Sequence, residues 1–197
     1  MVAGFLWTRL SGLGQRGTPL IMNDAQPPRE RDQHMGRDPA AARRIVRGRA
    51  LWCENSFTYA LHPVEMERAE GTVVLEAVCS AVSRGTERLV AEGAVPPSEY
   101  GRMRAPHQEG EFPFPVKYGY ALVGRISDGP PHLAGRLAFA LHPHQSHAVL
   151  DAGAITPVPD GIPPARAALA ANMETALNVA WDSGAGPADR VLVVGGG

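Results

Sequence analysis

The sequence predicts a mainly β domain followed by the beginning of an α/β domain. Between residues 44 and 158, short β-favouring runs alternate with turns, and the chain holds 22 glycines and 18 prolines. From residue 163 to 186, apolar residues recur at helical spacing. Residues 191–194 are all apolar and precede three glycines, as in a central parallel strand buried on both faces. This order of elements indicates an all-β domain that leads into an α/β domain.

Residues 47–158 supply seven predicted strands. They lie at residues 47–52, 57–61, 71–82, 117–126, 133–141, 148–150 and 154–158. A short helix is predicted at residues 86–92, with Gly93 closing it. Residues 94–117 carry five prolines and are expected to be loop-like. Gly119 and Gly124 interrupt the 117–126 strand, which indicates a bulge or a close approach of another part of the chain.

From residue 163 the sequence pattern changes to a helical period. Pro163 and Pro164 suit the first turn of a helix, and Gly184 or Gly186 is expected to end it.

At the other end of the chain, residues 1–43 have the composition of a disordered tail. No apolar run approaches the roughly 18 residues that a membrane-spanning helix needs.

Charge and cysteine content narrow the classes of function. The formal net charge is −1, from 19 basic and 20 acidic residues, which gives no electrostatic reason to expect nucleic acid or an anionic membrane as partner. Cys53 and Cys79 do not form a CxxC pair, so a structural zinc site built from cysteines is not available. A reduced, cytoplasmic setting is expected, and a disulfide between the two cysteines is the alternative.

Three stretches resemble the medium-chain dehydrogenase/reductase superfamily, the zinc-type alcohol dehydrogenase-like proteins. They are Ala-Val-Ser-Arg-Gly-Thr-Glu at 81–87, Gly-Tyr-Ala-Leu-Val-Gly-Arg-Ile at 119–126, and the segment from Leu169 through Asn-Met-Glu-Thr-Ala to Gly197. The first and third are most similar to the branch that contains bacteriochlorophyllide hydroxyethyl dehydrogenase. The resemblance implies a GroES-like irregular β-barrel at 44–162, connecting helices at 163–186, and the start of a truncated Rossmann domain at 187–197.

The resemblance also implies an activity. The complete protein is expected to transfer a hydride between NAD or NADP and a small alcohol or carbonyl substrate, as a homodimer. Family members that bind catalytic zinc use a cysteine where this chain has Ser83, and a His-Glu pair where it has Tyr120 and Ala121. Hydroxyl groups are poor zinc ligands at neutral pH, so a zinc-independent enzyme is implied.

Without zinc, hydrogen-bond donors must stabilise the negative charge that develops on the substrate oxygen. The catalytic candidates implied by the resemblance are Ser83, Thr86, Tyr120 and Glu174. Each has a structural alternative: turn capping for the serine and threonine, strand packing for the tyrosine, and a solvated helix position for the glutamate. Arg84 is a further donor that could instead pair with Glu87.

The resemblance implies cofactor contacts at the end of the chain. They are Thr175, which matches a position lining the nicotinamide pocket, and Gly195, Gly196 and Gly197, which match the turn beside the pyrophosphate. The alternatives are helix-interior packing for Thr175 and a flexible terminus for the glycines. Because the acidic residue that reads the ribose falls about 20 residues further on, we expect this chain alone to bind NAD(P)H weakly and to be inactive.

His142, His144 and His147 are close enough in sequence to suggest a metal site. The interpretation that we favour is an exposed, histidine-rich turn at the edge of the barrel. Three functions therefore compete. They are a fragment of an oxidoreductase, a non-enzymatic GroES-like barrel that serves as a binding or oligomerisation module, and a small metal-binding protein. The substrate and the choice between NAD and NADP lie beyond what the sequence predicts.

Overall fold

The computed structural model describes residues 44–194. The tail expected at residues 1–43 and the glycines at 195–197 lie outside the described residues. The described part is mainly β, as predicted, and its curled sheets form a half-barrel. Among residues 44–194, no helix is both long and apolar enough to cross a bilayer.

The first sheet is built on a long hairpin. Strands β1 (Arg44–Asn55) and β2 (Thr58–Arg68) pair antiparallel along their whole length. On the other side of β1 lies β5 (Val116–Lys117), and β4 (Glu109–Gly110) pairs with β5. The strand order is therefore β2-β1-β5-β4. Cys53, near the end of β1, pairs with both neighbouring strands, opposite Tyr59 of β2 and Val116 of β5.

The second sheet holds the largest apolar core. Its strands are β3 (Thr72–Ser80), β6 (Leu122–Asp128), β7 (Leu137–Ala140), β8 (His147–Asp151) and β9 (Ile155–Pro157), in the antiparallel order β8-β3-β6-β7-β9. The central pair supplies fully buried side chains, among them Val73, Leu75 and Leu122. β3 begins with a continuous buried run at 73–75, where both faces of the strand are covered, and burial then alternates to Ser80.

The described residues form four α-helices. They are α1 (Thr86–Glu92), α2 (Tyr100–Met103), α3 (Pro164–Ala167) and α4 (Ala170–Asp182), with short 3-10 turns at Pro97–Glu99 and Ala152–Ala154. The predicted helix at 86–92 is confirmed, and Gly93 closes it in the left-handed region with φ of 65°. Gly184, one of the two predicted ends of the long helix, is also left-handed.

Several predicted elements differ from the structure. Residues 94–117, expected to be loop-like, contain a 3-10 turn, α2 and β4, and the strand expected at 133–141 is shortened to β7. The strand expected at 117–126 is split into β5 and β6 because Gly119, with φ of 127°, turns the chain between them. Residues 191–194, the expected first strand of a Rossmann domain, form no strand and are 65% to 89% exposed. A strand needs a hydrogen-bonding neighbour, and no described strand lies beside these four residues.

Candidate active site

A cavity of about 330 Å³ opens between β1, α1 and the segment that leads to β8. Its walls are mostly apolar: Leu51, Val82, Val90, Val116 and the rings of Tyr59 and Tyr118. Cys53 completes this surface, and Glu87 and His144 are its charged or ionisable polar groups. A concave apolar surface with a few convergent polar groups is the usual form of a small-molecule site.

Glu87 and His144 form a buried pair in the wall of this cavity. The Nε2 atom of His144 lies 2.7 Å from Oε2 of Glu87, and each side chain is only 10% exposed. Glu87 is the second residue of α1, whereas His144 comes from the loop between β7 and β8. A pair of this kind places a carboxylate against an imidazole, which are the two side chains most used for proton transfer.

Two further contacts hold the pair in place. The backbone N–H of Ser83 donates to Oε1 of Glu87 at 2.8 Å, and Oγ of Ser80 lies 2.8 Å from Nδ1 of His144. A carboxylate can only accept, so Nε2 of His144 carries the ring proton that faces Glu87. Nδ1 is then a lone-pair acceptor, and the Ser80 hydroxyl donates to it. Both nitrogens of the buried ring are therefore satisfied.

Gly119 makes the approach of His144 possible. A Cβ atom at this position would lie 2.9 Å from the Nε2 and Cδ2 atoms of the His144 ring. The close approach predicted for Gly119 is therefore confirmed, and the group that approaches is the imidazole. Gly124 gives the same result in β6, where a Cβ would lie 2.6 Å from the carbonyl oxygen of Glu76.

The two tyrosines in the cavity wall stay neutral. The Tyr118 hydroxyl donates to the carbonyl of Met103 at 2.8 Å, and burial raises the pKa of Tyr118 far above its usual value. Burial is also the main cause that raises the pKa of Tyr59 to about 12. Burial raises the pKa of the Cys53 thiol as well. The cavity therefore offers protonated hydroxyl and thiol groups at neutral pH.

The predicted catalytic residues are only partly brought together. Ser83 and Thr86 lie at the start of α1, where Ser83 contributes its backbone to Glu87, and both side chains are half-buried. Tyr120 is half-buried too, and its ring stands perpendicular to Tyr118 with centroids 6.4 Å apart. Arg84 is exposed, and the carboxylate of Glu87 is bound instead by His144 and by the Ser83 backbone.

The predicted residues of α4 lie outside this cavity. Glu174 is exposed, and Thr175 is half-buried with its hydroxyl donating to the Ala171 carbonyl of the same helix at 3.1 Å. Neither residue lines the cavity. Gly195, Gly196 and Gly197 lie outside the described residues.

The interpretation of the histidine cluster as an exposed turn is wrong. His142 is 5% exposed and His144 is 9% exposed, and the loop that carries them is hydrogen-bonded through its backbone to β1, β3 and Tyr118. The three rings have separate partners: His142 stacks on His107, His144 binds Glu87, and His147 contacts Ser146. Within residues 44–194, no three histidine, cysteine or acidic side chains are grouped closely enough to hold a metal ion.

Sequence reasoning missed the pairing of Glu87 with His144. Glu87 lies in the turn at 81–87, and His144 lies in the histidine cluster. They are 57 positions apart, however, and come from an α-helix and a loop. No periodicity connects such positions, so only the packing of α1 against the loop could show the contact.

Comparison with known proteins gives a fold and no close relative. No protein-family model matches the chain, and no curated protein matches its sequence. A protein assigned as an oxidoreductase in Mycobacterium abscessus shares 17% identity with a TM-score of 0.50. It is matched over 70% of this chain and 43% of its own.

Two further solved structures are similar to the described part. A short chain alcohol dehydrogenase of E. coli CFT073, complexed with NADH, shares 12% identity with a TM-score of 0.52 over 69% of this chain and 45% of its own. A protein assigned as an NADPH:quinone reductase in Bacillus thuringiensis shares 18% identity with a TM-score of 0.52, over 70% of this chain and 41% of its own. This chain thus spans less than half the length of each, and has a fold that occurs in oxidoreductases.

Proposed function

We propose that this chain is part of an NAD(P)-dependent oxidoreductase of the medium-chain dehydrogenase/reductase type. The reaction is hydride transfer between nicotinamide and an alcohol or carbonyl substrate. The observation that carries the proposal is the buried Glu87–His144 pair in the wall of an apolar cavity. The shared fold with dehydrogenases and reductases supports it, as do the segments at 81–87 and 119–126.

The cavity suits a neutral substrate. No lysine or arginine belongs to its lining, and the carboxylate of Glu87 repels anions. Leu51, Val90 and Val116 offer apolar contact. The Tyr118 hydroxyl donates its hydrogen bond to the Met103 carbonyl and can still accept one from a substrate. A small alcohol or carbonyl compound with an apolar body fits this chemistry.

His144 and Glu87 would handle the proton. Reduction of a carbonyl leaves negative charge on its oxygen, and the oxygen must gain a proton as the hydride arrives. His144 would supply that proton from Nδ1, with the substrate oxygen in the place of the Ser80 hydroxyl, while Nε2 stays bound to Glu87. Ser83 holds the other carboxylate oxygen and so fixes the direction of Glu87. In this scheme Thr86 and Tyr120 orient the substrate oxygen.

A bound nicotinamide would donate or accept the hydride. The residues assigned to hold it are Thr175, Gly195, Gly196 and Gly197, and Glu174 lies next to Thr175 on the exposed face of α4. The Thr175 hydroxyl donates to Ala171 and keeps its lone pairs, so it can accept a hydrogen bond from the cofactor.

We propose that this chemistry proceeds without zinc. Ser83 and Tyr120 offer hydroxyls in place of a thiolate and an imidazole. Cys53 shares the cavity with Glu87 and His144, but these three are not grouped as metal ligands in the described part of the chain. Burial raises the pKa of Cys53, which disfavours the thiolate that zinc requires.

The test uses the complete reading frame to which this chain belongs. NADH and NADPH oxidation is followed with benzaldehyde and benzoquinone as neutral substrates. We expect turnover that a chelator does not remove, and a loss of about 100-fold in kcat for His144→Gln and Glu87→Gln.

The matched control is a second histidine–glutamate pair on the surface. His62 and Glu54 make a similar contact at 2.8 Å, but their side chains are 47% and 40% exposed. His62→Gln should therefore leave kcat unchanged. Absence of NAD(P)H turnover with both substrates, or equal losses in His62→Gln and His144→Gln, would contradict the proposal.

A further inference from the structure

Ser80, His144 and Glu87 form a continuous chain of hydrogen bonds. Ser80 Oγ lies 2.8 Å from His144 Nδ1, and His144 Nε2 lies 2.7 Å from Glu87 Oε2. The three residues come from three separate elements: the last position of β3, the loop before β8, and α1. The oxidoreductase proposal uses the histidine and the glutamate, and it leaves the serine without a role.

The direction of these hydrogen bonds is the one that activates a serine. The Glu87 carboxylate fixes the ring proton of His144 on Nε2, so Nδ1 is free to take the proton of the Ser80 hydroxyl. An acid that holds an imidazole, which in turn accepts from a hydroxyl, is the arrangement that generates a serine nucleophile in unrelated folds. In the usual arrangement the serine contacts Nε2 and the acid contacts Nδ1, whereas here Ser80 contacts Nδ1 and Glu87 contacts Nε2. The order of proton transfer, from serine to histidine, is the same.

Access favours a reaction at Ser80. Ser80 is exposed, whereas the side chains of His144 and Glu87 are each only 10% exposed. Val82, two residues further along, is 69% exposed and belongs to the cavity wall. An ester carbonyl can therefore reach Ser80 from solvent while its apolar group lies against Val82 at the mouth of the cavity.

We propose that Ser80 is an activated nucleophile and that this chain hydrolyses small apolar esters. Ser80 Oγ attacks the ester carbonyl carbon while its proton passes to His144 Nδ1. The bond to the leaving oxygen breaks, and the alcohol departs with that proton. Once the alcohol has left, water takes its place beside Nδ1, gives a proton to that nitrogen and attacks the acyl carbon. The bond from the acyl carbon to Ser80 Oγ then breaks, the proton passes from Nδ1 to Oγ, and the carboxylic acid is released. Because Ser80 is open to solvent, water stabilises the oxyanion, and the rate is modest compared with sites that enclose it.

The test needs neither a nicotinamide cofactor nor any further part of a reading frame. Purified chain is given p-nitrophenyl acetate and p-nitrophenyl butyrate, and the release of nitrophenolate is measured. We expect a rate above buffer that falls at least tenfold in Ser80→Ala and in Glu87→Gln. Diisopropyl fluorophosphate should label one peptide, the one that contains Ser80, as read by mass spectrometry.

The chain offers a matched control in a second serine–histidine contact. Ser146 Oγ lies 3.1 Å from His147 Nδ1, but in the described part of the chain no carboxylate holds that ring. Ser146→Ala should therefore leave the hydrolysis unchanged. Thermal unfolding followed by circular dichroism verifies that Ser80→Ala is folded.

Three results would overturn the proposal. They are no hydrolysis above buffer, an unchanged rate in a folded Ser80→Ala, or labelling of another residue. An unchanged rate would point to direct attack by a histidine. Since no result of this assay depends on NAD(P)H, failure here leaves the oxidoreductase proposal standing, and the reverse also holds.

Discussion

The candidate site depends on one residue, His144. Its two nitrogens are bound by Glu87 and Ser80, and Gly119 leaves room for its ring. A buried polar ring without partners would cost roughly 1 to 3 kcal/mol, so these contacts specify its position as well as its chemistry. His142, two residues earlier, is buried for a different purpose: its ring stacks on His107 at 5.1 Å and its Nδ1 bonds to the Pro143 carbonyl.

The burial of His142 should make stability depend on pH. Burial lowers the pKa of His142 to about 4, and the positive charges of His107 and Lys117 act in the same direction. The unfolded chain therefore takes up this proton near pH 6.5, before the folded chain does. Stability contributed by the neutral ring is complete above that pH and is lost as the pH falls towards 4.

We expect the free energy of unfolding to fall by about 2 to 3 kcal/mol from this group alone between pH 7.5 and pH 4.5. Urea unfolding at both pH values measures this fall in the free energy of unfolding. His142→Gln cannot titrate at this position, so the variant should lose that much less over the same interval. An equal loss in the two proteins would show that His142 is not the group responsible.

At the scale of elements, the site exists because a tight connection follows β5. Gly119 turns the chain towards β6, and the His144 backbone N–H donates to the Tyr118 carbonyl beside this turn at 3.4 Å. On the other side, β3 ends at Ser80 and the chain turns through Ser83 into α1. The two connections therefore place an imidazole and a carboxylate against each other.

Gly119→Ala should break this arrangement. Its φ of 127° disfavours a side chain, and a Cβ would lie 2.9 Å from the His144 ring and 3.1 Å from the His144 backbone nitrogen. We expect a loss of about 1 to 3 kcal/mol in the free energy of unfolding. The NMR signals of the His144 ring should shift as well, because the contact with Glu87 lengthens.

Gly101→Ala is the control for that variant. Gly101 lies in α2, where a Cβ would meet nothing within 4 Å, so alanine should be neutral or slightly stabilising. If the two variants had equal stability, the close approach of His144 to Gly119 would not be energetically important.

At the scale of the whole molecule, apolar surface is concentrated at one end of the described chain. On α4, Met173, Leu177 and Trp181 are exposed, with Trp181 at 70%. Residues 191–194 are exposed as well and have no strand beside them. Surfaces of this kind associate with other protein surfaces, and an unpaired apolar segment can also pair with copies of itself.

Removing residues 187–197 should therefore reduce self-association. We expect the shortened chain to sediment as a smaller species and to scatter less light at equal concentration. Replacing Leu192 with aspartate in the full chain tests the same cause without a deletion, and it should act in the same direction. If self-association were unchanged in both variants, the surface responsible would lie outside residues 187–197, and the apolar face of α4 would be the next to alter.

The sequence by itself determined the mainly β architecture, most strand positions, the helix at 86–92 with its glycine end, and the close approaches at Gly119 and Gly124. These features depend on local propensity, on φ, and on the absence of a Cβ, which are properties of single residues and short segments. Only the tertiary structure decided that Glu87 meets His144, that Ser80 completes the chain, and that the histidine loop is buried. The physical reason is that burial and side-chain pairing depend on how distant elements pack, and residues 64 positions apart, such as Ser80 and His144, share no local pattern.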